Sequence, residues 1–84
     1  MNSYELSLRQ EVLLEKGADI LGAISRFGRK NNISPENKSD PINVMYALVW
    51  NIKRGVLGAK TDSELDRIES LFDCASCFSS AIED

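Results

Sequence analysis

The sequence contains no histidine, two cysteines, one tryptophan, two prolines and five glycines. Without histidine it lacks the usual general base at neutral pH, the usual partner of a serine or cysteine nucleophile, and the commonest zinc ligand. Two cysteines are too few for a disulfide-stapled scaffold. The longest unbroken apolar run, Val44 to Trp50, is far short of the roughly 20 residues that span a bilayer. Met1 to Leu6 show no basic segment leading into an apolar run, which predicts no signal peptide and a cytoplasmic location. No P-loop, dinucleotide-binding fingerprint or nucleophile-elbow motif occurs. Neither sign of charge is in large excess. Ten basic and 13 acidic residues leave a net charge of -3, which disfavours a strongly basic nucleic-acid binder.

The chain has 84 residues, 43% hydrophobic and 27% charged. That is too apolar for a disordered chain and fits one small domain over residues 1–84. A domain of this size buries only about 60% of the surface its unfolded chain exposes. Self-association is a common remedy for so thin a margin.

Three helical segments are predicted, with no internal repeat. The first covers about 4–27. Asn2 and Glu5 form a capping-box-like start. Leu6, Leu13, Gly17, Ile20, Ile24 and Phe27 recur on one helical face, widened by Leu14, Ala18 and Leu21. Glu5 and Arg9 form an i,i+4 pair, and Gly28 is placed just past the helix end. Gly17 lies on the apolar stripe, so either two helices cross there closely or the helix tolerates a kink. Residues 28–40 read as an exposed but ordered connection with Ile33 tucked beneath it.

The second helix covers about 41–57, with Asp40 as cap and Pro41 as its first residue. Ile42, Met45, Val49, Ile52 and Val56 form its main stripe, while Val44, Tyr46, Ala47, Leu48, Trp50 and Leu57 cover most other directions. A helix apolar nearly all round is either central in its fold or covered by a second chain. A buried strand over Val44 to Trp50 is the competing reading, opposed by the Pro start and the segment's length. The third helix, about 62–82, opens on the capping box Thr61 to Glu64 and carries Leu65, Ile68, Phe72, Ala75, Phe78 and Ile82 on one face. The predicted fold is an all-α three-helix bundle (helix–loop–helix–turn–helix). The first and third helices pack on the second, and self-association completes the bundle.

Charge is uneven along the chain. From residue 61 onward seven acids face the single base Arg67, whereas residues 1–60 hold nine bases and six acids. Asp62, Asp66, Glu69 and Asp73 therefore suggest an acidic face that steers a basic partner, or a solvated surface. Arg26, Arg29, Lys30 and Lys38 gather around the connection as a basic patch, suited to phosphate, to an acidic protein, or to nothing but water. Helix–turn–helix recognition of DNA is rejected, because the helix that would enter the groove is the acidic one. Tyr46 and Trp50, one turn apart and followed by Lys53 and Arg54, read either as an interface hot spot or as core.

Cys74 and Cys77 form the only catalytic-looking motif, a C-x-x-C. It lies deep in a helix with no preceding strand, and Asp73 beside it disfavours a thiolate. The pair reads as small, partly buried helix residues, with zinc or redox chemistry requiring a second chain. No metal site and no cofactor are implied. The function expected is a small non-catalytic protein–protein interaction module, an inhibitor or regulator of a larger protein partner, of the immunity, anti-defence or cofactor type. The competing readings are a nucleic-acid-associated regulator using residues 26–38 and a helical oligomer that binds a small ligand.

Overall fold

The computed structural model describes residues 2–83. They form three α-helices: α1 (Ser3–Lys30), α2 (Pro41–Gly55) and α3 (Asp62–Glu83). A short 3-10 turn, Val56–Gly58, joins α2 to the link into α3. The all-α, three-helix architecture read from periodicity is the one observed, and Val44 to Trp50 is helical.

The packing order differs from expectation. The spine is α1, which lies along both α2 and α3, while those two touch each other little. Length decides this. At 28 residues α1 is about 42 Å long, which matches the 45 Å long dimension of the molecule. The 15 residues of α2 reach only about half as far. The core is made of Leu13, Ile20 and Ile24 from α1, Val49 and Val56 from the middle segment, and Leu65 and Phe72 from α3.

The helix starts follow from local chemistry. The Asn2 carboxamide oxygen accepts the Glu5 amide at 2.8 Å, and the Asp40 carboxylate accepts the Ile42 amide at 2.9 Å. At the start of α3 the Thr61 hydroxyl accepts the Glu64 amide at 3.2 Å and donates to the Glu64 carboxylate at 3.0 Å.

The end of α1 is a correction. Gly28 does not terminate the helix, which continues to Lys30. Asn32 takes the left-handed conformation instead, at φ 58°. The Ile33 amide then donates to the Gly28 carbonyl (2.9 Å) and the Asn32 amide to the Arg29 carbonyl (3.3 Å). This is the Schellman pattern with asparagine in the usual glycine position. The connection is accordingly shorter than 28–40. The Asn43 side chain holds it by donating to the carbonyls of Ser34 and Asn37, both at 2.8 Å. Ile33 is half-buried beneath it.

Gly17 marks a close crossing of all three helices. A Cβ built there would stand 3.0 Å from Phe72 Cζ and 3.2 Å from Lys53 Cγ. A methyl group at that point forces both neighbours to give way, so the spine is narrow where side chains of α2 and α3 both reach it. At Gly22 an added Cβ would meet only the flexible Arg26 guanidinium.

Candidate functional site

The contact between α1 and α3 buries Leu65, Phe72 and Ala75 in the common core and is edged by charge. Arg9 pairs with Asp62 at 3.0 Å and with Asp66, Lys16 pairs with Asp73, and Arg26 pairs with Glu83 at 2.7 Å. Positions 9, 16 and 26 of α1 thus meet positions 66, 73 and 83 of α3 at one constant offset. A constant offset means that the two helices run parallel and in register. The Asp66 carboxylate, hydrogen-bonded to the Arg9 guanidinium, holds Arg9 above its ordinary pKa, while partial desolvation opposes the shift.

Three expectations change here. Asp62, Asp66 and Asp73 are not a free acidic face, because bases of the same chain face them; Glu69 alone of the four has no ion pair among the described residues. Arg9 reaches across to α3 rather than back to Glu5. The basic patch is divided, with Arg26 held by Glu83 while Arg29 and Lys38 border a groove shared with α2. The acids left without a basic partner among the described residues include Glu5, Glu11, Glu15 and Asp19, all exposed on α1.

The contact between α1 and α2 is aliphatic. The Gln10 side chain is its main polar element, donating to the carbonyls of Val56 and Ala59 at 3.2 Å and so fastening the 3-10 turn to α1. Ile42, Met45, Val49, Ile52 and Val56 face inward, as their spacing implies. The remaining directions of α2 are uncovered. Trp50 is 46% exposed and Tyr46 41% exposed, and Val44, Leu48 and Leu57 are exposed as well.

Tyr46, Trp50, Lys53 and Arg54 share one end of this uncovered surface. The Lys53 stem lies over Gly17, and its ammonium sits 5.7 Å from the Trp50 ring centroid. That cation–π contact steadies the indole while leaving it about half exposed. Arg54 is exposed and has no ion pair among the described residues.

Beginning at Tyr46, a groove of about 790 Å³ runs between the end of α1, the 31–40 connection and the first turns of α2. Ile24, Ile33, Ile42, Val44 and Leu48 line it, with Arg29 and Lys38 at its edge.

A second, smaller apolar strip lies on the outside of α1. Tyr4 is 72% and Val12 63% exposed, with Leu8 one turn from each. Sequence reading missed this strip because Leu6 and Leu13 set the buried face and drew attention from the residues opposite. Cys74 and Cys77 are both free and exposed, not partly buried as expected. Among the described residues no cluster of His, Cys, Asp or Glu is placed to hold a metal ion, and no helix is long and apolar enough to cross a membrane.

The sequence model of one family, described as bacterial epsilon antitoxin, matches residues 2–82. The chain belongs to that family. No curated protein and no solved structure matches it. Membership in an antitoxin family makes the chain a small regulatory protein of the inhibitor kind, directed at a toxin partner.

Proposed function

We propose that the chain restrains its toxin by stoichiometric contact, with the outer surface of α2 around Tyr46, Trp50, Lys53 and Arg54 as the principal anchor. The supporting observation is that two large aromatic side chains stand about half exposed on a helix whose inward face is already satisfied. Leaving such surface in water is unfavourable by about 25 cal/mol per Å², and covering it drives association. Tyr, Trp and Arg are also the residues most often found to dominate interface energetics. No chemistry by this chain is required, since occupying the toxin's surface suffices.

A second reading has its own support. The outer strip of α1 combines Tyr4, Leu8 and Val12 with the unpartnered acids Glu5, Glu11, Glu15 and Asp19. That combination fits a basic, partly apolar cleft on a toxin. On this reading α1 enters the cleft, and α2 is left to cover a second copy of the chain in a larger assembly. Isothermal titration of the toxin with Trp50→Ala and with Tyr4→Ala separates the two. The first reading expects Trp50→Ala to weaken binding by 30-fold or more, on the order of 2 kcal/mol, with Tyr4→Ala near neutral. The reverse pattern assigns the toxin to α1, and no capture of any toxin by the wild-type chain rejects both.

A further inference from the structure

We propose that the groove between the end of α1, the 31–40 connection and α2 takes an acidic, amphipathic segment of the toxin. The inference rests on the toxin-binding reading above and adds the chemistry of a second contact. Ile24, Ile33, Ile42 and Leu48 give the groove an aliphatic wall, and the cations Arg29 and Lys38 stand at its edge. Neither cation has an ion pair among the described residues, whereas Arg26, one turn before Arg29, is held by Glu83. Arg29 is steadied by donating to the Ser25 hydroxyl at 3.1 Å, which leaves its remaining guanidinium hydrogens directed elsewhere.

The volume, about 790 Å³, admits a few side chains of an inserted segment. Its wall is a poor match for a nucleic-acid backbone, which would meet aliphatic carbon where it needs donors. The complementary segment has aliphatic or aromatic residues to fill the groove and one or two carboxylates to reach Arg29 and Lys38. The groove is also held open from within. The two Asn43 hydrogen bonds fix the connection on α2, and the Schellman turn at Asn32 fixes where the connection leaves α1. A preformed site avoids an ordering cost on binding. A second copy is less suited as the occupant, because its acidic apolar strip lies at the opposite end of α1 from the groove. Docking strip into groove is then a head-to-tail contact, which propagates unless a rotation closes it.

The test uses full-length chain and the toxin it captures. In Arg29→Glu/Lys38→Glu the rim charge is reversed; in Ala47→Trp an exposed residue lining the groove is enlarged so that it blocks entry. Both positions and Ala47 are exposed, so circular dichroism and unfolding midpoints are expected to match wild type. Each variant is expected to raise the toxin Kd by about tenfold or more, and the charge variant to lose most of the salt dependence of association. Methyl signals of Ile33, Ile42 and Leu48 in the wild-type chain are expected to shift on toxin addition. Unchanged toxin affinity in both variants, with capture by wild type intact, overturns the groove and spares the toxin reading. Loss of self-association alone reassigns the groove to a second copy, and loss of DNA retention alone to nucleic acid. Either result contradicts the proposal.

Discussion

The two sides of α1 share one apolar core but are edged differently. Toward α3 the seam is flanked by four ion pairs, three of them in a common register, and each carboxylate is at least 42% exposed. Toward α2 the seam is aliphatic, clamped by Gln10, and its far side is left open. Exposed pairs of this kind contribute about 0–1 kcal/mol each, so they set direction and register more than stability. Apolar surface supplies the stability, and α2 has more of it than α1 can cover. The difference separates a seam that fixes how the bundle is assembled from a face that remains available to something else.

The comparison breaks first at the crossing shared by both seams. Phe72 is fully buried against Gly17, so Phe72→Ala is expected to lower unfolding free energy by about 3–5 kcal/mol in urea titration. A loss below about 1 kcal/mol places the core elsewhere. The next effect concerns the open face. Trp50→Ala is expected to cost under about 1.5 kcal/mol of stability, well below the range for a core aromatic. A loss of 3 kcal/mol or more makes Trp50 structural. Gln10→Ala removes the side-chain hydrogen bonds that tie the turn to α1 among the described residues, and about 1 kcal/mol of destabilisation is expected by thermal unfolding. The smallest effect belongs to the charged seam. Asp73→Asn is expected to cost less than about 1 kcal/mol in low salt, and the difference from wild type is expected to vanish in 1 M NaCl. A salt-independent loss means that the pair acts through packing rather than charge.

Much of this was legible from residue spacing. Caps at Asn2, Asp40 and Thr61 and the inward stripe of α2 are local patterns, and local patterns survive into the fold. What failed was relational. Charge counting along α3 found the acids but not their partners. The matched spacing of bases at 9, 16 and 26 with acids at 66, 73 and 83 was present in the sequence, and only a comparison between helices reveals it. The spine was assigned to α2 because it is the most apolar helix, when length makes it α1. Asn32 could replace Gly28 as the helix stop because asparagine also tolerates positive φ. The exposed excess on α2 was expected, since a stripe that already fills one side leaves Tyr46 and Trp50 nowhere to be buried.

The most direct measurement uses the single tryptophan. With 5-fluorotryptophan at position 50, ¹⁹F NMR reads the solvent isotope shift of one side chain, whatever aromatic residues a partner carries. In the free chain at low micromolar concentration a shift intermediate between buried and fully exposed is expected, falling toward the buried value when toxin is added. A fully buried shift in the free chain, or a shift that toxin leaves unmoved, contradicts the account.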